Sequence, residues 1–96
     1  MHVISKKKLK DFWGRHPESK KPLEVWCRIV KLSRYHAFHE LKRTFPKADK
    51  AGDQVVFDIG GNKYRLVVVI HFNRSKLYVR HVLTHQEYDR GGWKNG

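Results

Sequence analysis

Two strand patterns meeting at a Gly-Gly-Asn turn constrain this chain more than any other feature. Val55, Phe57 and Ile59 alternate with Val56 and Asp58, the period of a strand with two unlike faces. Gly60-Gly61-Asn62 follows, and residues of these types accept positive φ, so the spacing predicts a tight hairpin. The next run places Tyr64, Leu66, Val68, Ile70 and Phe72 on one face. Lys63, Arg65, Val67, Val69 and His71 fall on the other. Beyond an Asn73-Arg74-Ser75 turn, a third run sets Leu77, Val79, His81 and Leu83 against Tyr78, Arg80 and Val82. Strands joined this closely predict an antiparallel sheet.

The first half reads as helix. His2-Val3-Ile4 is a short apolar opening strand, and Ser5 can cap the helix after it. Leu9, Phe12, Trp13 and His16 then share one helical face until Pro17. Lys6, Lys7 and Lys8 stand in its first turn, where the helix dipole disfavours cations by a few tenths of a kcal/mol each, up to about 1. A bound anion would offset this, and so would extension of the lysines into water. A second helix is expected from near Ser19 to Leu32, burying Leu23, Trp26, Ile29 and Val30, with Pro22 tolerated in its first turn. A third, with Phe38, Leu41 and Phe45 at core spacing, stops at Pro46. Lys47 to Asp53 is polar and reads as a loop. The expectation is one α+β domain over residues 1–96, an antiparallel sheet with two to three helices on one face and a short C-terminal helical turn.

Charge narrows the partner. The net charge is +12, with 21 Lys and Arg against nine Asp and Glu, a balance that suits a polyanion. A 40% hydrophobic content argues for a folded core despite that charge. The amino terminus lacks the apolar run of a signal peptide, and the longest aliphatic run, Leu66 to Ile70, is too short to span a bilayer. A membrane-surface role also fits poorly, because the aromatics of the first helix belong to a core pattern. The single Cys27, beside Trp26, Ile29 and Val30, reads as a buried structural thiol and fits a reducing cytoplasm. His36 with His39, and His81 with His85, lack a metal-binding motif, so no metal or cofactor is expected.

With helices on the face of Leu66, Val68, Ile70, Val79 and Leu83, the opposite face displays Lys63, Arg65, His71, Tyr78 and Arg80. Such a surface binds RNA by phosphate pairing and base stacking. Lys6, Lys7 and Lys8 are further candidate RNA ligands. Arg65 alone also fits a solvated surface residue, but Arg80 on the same face favours phosphate binding. Thr84-His85-Gln86-Glu87-Tyr88-Asp89 begins where the last strand ends. Thr84 can cap a turn with Glu87 three residues on, so that His85 and Tyr88 project from one side. Imidazoles carry protons near neutral pH, and a tyrosine can hydrogen-bond a phosphate or ribose hydroxyl.

At these residues the chain resembles the HigB family of toxins of bacterial type II toxin–antitoxin systems, over most of its length. The matching pieces are Trp26 with Val30-Lys31, then Glu40-Leu41-Lys42 through Phe45-Pro46-Lys47-Ala48-Asp49. Val56 through Leu66, Leu77-Tyr78-Val79-Arg80 and Thr84 through Asp89 follow in the same order. The resemblance implies a RelE-like fold and an endoribonuclease that cleaves messenger RNA on the ribosome without a metal. It implies neutralisation by a HigA-type helix-turn-helix antitoxin, through which alone DNA would be met. It assigns Arg65 to phosphorane stabilisation, with His85 and Tyr88 as catalytic partners and Arg80 and Lys63 as phosphate ligands. RelE itself carries a Lys/Arg-rich segment where this chain has Thr84-His85-Gln86, so the resemblance leaves the general base open. A non-catalytic RNA-binding or ribosome-associated module would use the same basic face, and charge alone does not separate the two.

Overall fold

The computed structural model describes residues 1–95. In chain order the elements are β1 (His2–Ile4), α1 (Lys6–Arg15), α2 (Lys20–Leu32), α3 (Phe38–Thr44), β2 (Asp49–Ala51), β3 (Gln54–Ile59), β4 (Tyr64–His71), β5 (Lys76–Thr84) and α4 (His85–Arg90). Short 3-10 turns occupy Pro17–Ser19, Phe72–Arg74 and Gly92–Asn95. The sheet order is β1-β5-β4-β3-β2.

The helices cover one face, as the apolar spacing requires. Leu9 and Phe12 of α1, Leu23, Trp26 and Val30 of α2, and Leu41 of α3 are buried against Phe57, Leu66, Val68, Leu77 and Val79. Aromatic rings lock the layers edge to face, Phe12 on Tyr64 at 5.5 Å, Trp26 on Phe57 at 5.4 Å and Phe45 on Phe57 at 5.0 Å. The Ser19 hydroxyl, fully buried between α1 and α2, donates to the His16 carbonyl at 2.7 Å. Cys27 is half-buried rather than enclosed, and packs at the margin of this core.

Four further details depart from the sequence reading. Ser5 does not cap α1 with its side chain, because its backbone sits at φ 73° in the left-handed region. Asp49–Ala51, expected as loop, is an edge strand paired antiparallel with β3, and Gly52 at φ 65° closes the turn. All three of its residues are exposed, so it shows no apolar alternation. The sheet is antiparallel from β2 to β5, but β1 joins β5 in parallel.

The fourth departure matters most for the site. Val67 pairs with His81 while Val68 pairs with Val79, so Arg80 is an extra residue in β5. A bulge of this kind reverses the alternation beyond it. Val82 therefore turns to the helix-side core, and His81 and Leu83 turn to the opposite face, the reverse of the simple period-two reading. That face is not fully open either. Gly91 at φ 76° ends α4 and redirects the chain so that Trp93, only 5% exposed, packs on Val56 and Val67 beside Leu83 and Tyr88.

Candidate active site

Arg65 faces Asp58 across the β3–β4 hairpin. Its Nε lies 3.2 Å from Asp58 Oδ1, and Nη1 donates to the Asn62 and Tyr64 carbonyls, each at 3.2 Å. The side chain is 12% exposed. A guanidinium held this way has a fixed plane and direction, unlike a mobile surface arginine.

The C-terminal segment completes the enclosure. Thr84 and Glu87 form the capping box expected from sequence: Glu87 N–H donates to Thr84 Oγ1 at 3.2 Å, and Thr84 N–H to Glu87 Oε1 at 2.9 Å. The Thr84 backbone N–H is the main cause holding the Glu87 carboxyl below the usual carboxylate range, against a smaller opposing effect of burial. His85 N–H donates to the Lys63 carbonyl at 3.0 Å, which ties the start of α4 to the β3–β4 turn. From this helix the Tyr88 ring lies over the Arg65 guanidinium at 5.4 Å. On its other neighbour, Tyr88 stacks with Trp93 at 5.0 Å, and Trp93 Nε1 donates to the Tyr88 carbonyl at 3.0 Å.

His85 is about half exposed, and its Nε2 lies 3.2 Å from Asp89 Oδ2 one helical turn on. The carboxylate orients the ring. Arg65 and Tyr88 thus meet where β4 begins and β5 ends, and His85 stands at the start of the same short helix, tied through its backbone to the turn before β4.

The other candidates disperse. Lys63 reaches Glu18 at 3.7 Å in an exposed pair, worth at most about 1 kcal/mol. His71 and Tyr78 meet edge to face at 5.3 Å near the far end of β4. Six residues separate Arg65 from His71, roughly 20 Å along the strand. Arg80 stands out at the bulge and borders a shallow cleft of about 540 Å³ with Gln54, Trp93 and Lys94. Lys8 Nζ donates to the Arg80 carbonyl at 3.1 Å, so this lysine anchors α1 to β5. Lys7 is exposed on the first turn of α1. Lys6 instead lines the groove between α1 and α2, beside Lys31.

The sequence reading missed Asp58, Asp89, Trp93 and Lys94. Asp58 had a signal, being the acid on β3 that a tight turn sets opposite Arg65. Asp89 had one too, at helical spacing from His85. Trp93 and Lys94, beyond Gly91-Gly92, showed only that a large apolar ring follows a flexible pair.

Residues 19–91 match the HigB toxin family, described as a RelE-like toxic component of a toxin–antitoxin system. The chain is 35% identical over 92 residues to the mRNA interferase toxin HigB of Escherichia coli (strain K12), covering 93% of this chain and 88% of the relative. The mRNA interferase HigB of Shigella flexneri matches to the same extent. That of Escherichia coli O6:H1 is 29% identical over 93 residues, covering 94% and 90%. Its class is therefore that of the toxic components of toxin–antitoxin systems, with a RelE-like arrangement of sheet and helices. Within that class the chain belongs to the HigB toxin family.

Proposed function

We propose that the protein is a cytoplasmic mRNA interferase that cleaves messages on the translating ribosome and is neutralised by a HigA-type helix-turn-helix antitoxin. DNA is met only through the toxin–antitoxin complex. Family membership and the mRNA interferase names of its relatives support the reaction class. Among the described residues no helix is long and apolar enough to cross a membrane.

The observation that carries the reading is the Arg65–Tyr88–His85 grouping. A ribose 2′-hydroxyl attacks the adjacent phosphorus, the bond to the 5′ oxygen breaks, and a cyclic phosphate and a 5′-hydroxyl result. His85 moves a proton at this step, its ring steadied by Asp89. Arg65 stabilises the phosphorane through Nη2, with Nε and Nη1 already directed to Asp58 and the two carbonyls. Tyr88 caps the guanidinium and offers its hydroxyl to phosphate or ribose. Arg80, Lys8 and Lys7, with Lys63, Tyr78 and His71, supply separate RNA contacts outside this centre; Lys6 stands apart from them. The reaction scheme assigns no role to a cofactor or metal.

One observation favours a second reading, a non-catalytic RNA-binding module. Arg65 is already neutralised by Asp58 and largely covered. Expression without antitoxin decides between them. Growth should stop, and translated messages should show 5′-hydroxyl and cyclic or 3′-phosphate ends. His85→Gln should still bind ribosomes yet lose the cleavage. Intact messages with reduced translation would establish the binding module instead.

A further inference from the structure

Helix α4 is six residues long and buries none of them fully, so neither its length nor the main core holds it in place. Its first turn is fixed by the Thr84–Glu87 capping box and by the His85 N–H on the Lys63 carbonyl. Tyr88 lies beyond these ties, in the second half of the helix. There the chain after Gly91 supplies the anchor. Trp93, 5% exposed, packs on Val56 of β3 and Val67 of β4. Those two residues pair across the hairpin, and the next pair on the same face is Asp58 with Arg65, roughly 7 Å along the strands. The indole stacks on the Tyr88 ring at 5.0 Å with 12° between the planes, and the Tyr88 ring in turn lies 5.4 Å from the Arg65 guanidinium. Trp93 Nε1 also donates to the Tyr88 carbonyl at 3.0 Å, but that oxygen accepts from the Gly91 N–H at 3.1 Å as well. The polar tie is thus duplicated, whereas the flat face of the indole has no substitute.

We propose that Trp93 is a positioning residue for RNA cleavage: seated on the Val56–Val67 pair, it holds the Tyr88 ring over Arg65 and keeps the tyrosine hydroxyl in register with the guanidinium. The inference rests on the interferase reading above and adds a residue that acts on the reaction only through Tyr88. Trp93 lies outside residues 19–91, the stretch that matches the toxin family, so family membership assigns it nothing. Packing on two valines is open to any apolar side chain of suitable size, whereas a near-parallel stack on Tyr88 needs a flat ring. Both Trp93 and Arg65 are referred to the same pair of strands, so a shift of the indole changes the distance between Tyr88 and Arg65 directly. Small displacements of groups around a reacting centre are costly in rate.

Two substitutions separate stacking from packing. Trp93→Leu keeps an apolar side chain on Val56 and Val67 but removes the flat face, and should lower the single-turnover cleavage rate at saturating ribosomes about tenfold or more, with binding within about twofold of the wild type. Trp93→Phe keeps a ring and loses only the duplicated N–H bond, and should stay within about threefold of the wild-type rate. On a Tyr88→Ala background, Trp93→Leu should cost nothing further, since the residue through which it acts is gone. NMR resonances of the Arg65 side chain, displaced upfield by the Tyr88 ring, should return towards ordinary arginine values in Trp93→Leu and stay displaced in Trp93→Phe. Wild-type rate in Trp93→Leu, or an equal loss in Trp93→Phe, overturns the inference. An additive loss on the Tyr88→Ala background also overturns it and makes Trp93 a direct RNA contact. So does a drop in melting temperature that tracks the loss of rate in both variants, which makes Trp93 merely structural. Failure of the underlying reading looks different: absence of cleavage by the wild type counts against the interferase, whereas the Arg65 resonances score the hold of Trp93 on Tyr88 without any cleavage.

Discussion

Asp58 is the residue through which the role of Arg65 can be decided. It neutralises the guanidinium and fixes its direction, with Nε to Oδ1 at 3.2 Å. Lysine keeps a positive charge but loses the planar fork, so Arg65→Lys should lower the single-turnover cleavage rate on the order of 100-fold, as loss of one transition-state donor does. Asp58→Asn keeps a hydrogen-bond acceptor and removes the competing negative charge. It should retain cleavage and bind RNA as tightly as the wild type, or more tightly. Parallel losses of thermal stability and activity in both variants would instead make Arg65 a structural residue. The arginine itself was legible in the sequence, because it interrupts an apolar strand just after a turn. Its enclosure was not, since Asp58, Asn62 and Tyr88 converge on it only once register and α4 are set.

At the scale of elements, the C-terminal segment organises the site, and its parts were unequally legible. Thr84 and Glu87 spell a capping box in sequence and form one in the fold. The covered faces of β4 and of the start of β5 also follow from alternation. The bulge at Arg80 had one local trace, two adjacent polar residues followed by two adjacent apolar ones, Arg80-His81 then Val82-Leu83. The pairing of β2 and the parallel docking of β1 left no such trace, because both depend on distant partners and their segments are very short. Thr84→Ala should destabilise α4 by about 0.5–2 kcal/mol. Glu87 makes the same cap sensitive to acid. Its folded pKa is depressed by the Thr84 N–H, so its contribution is present above the unfolded carboxylate value and is lost as pH falls through the lower folded value. Hydrogen exchange at Trp93 Nε1, bonded to the Tyr88 carbonyl, reads this directly. Protection should fall in acid for the wild type. In Glu87→Gln, whose amide oxygen accepts the same bond without titrating, that acid step should be absent, and its persistence would place the acid-sensitive group elsewhere.

Across the whole molecule, the net charge of +12 is divided between two layers with different neighbours. On the sheet side Arg80 and Lys94 border the cleft beside Trp93, and Lys8 is tied to the Arg80 carbonyl at the adjoining edge. On the helical side Lys6, Lys10, Arg28 and Lys31 surround an apolar groove. Long-range attraction of RNA depends on the total, whereas the salt dependence of the bound complex counts only the cations that displace counterions from phosphates. Single-stranded nucleic acid loses affinity with a slope of about 0.7 in log K per log salt for each phosphate neutralised. Arg80→Ala should therefore reduce the slope for a ribosome-free RNA oligonucleotide by roughly 0.7, with weaker binding at low salt. Arg28→Ala removes the same charge from the helical layer and should leave the slope within error of the wild type, although the total charge falls equally. The two variants differ only in where the charge is lost, so the pair separates a local track from a general field. Equal reductions would mean that RNA wraps both layers, and the division of labour between sheet and helices would fail.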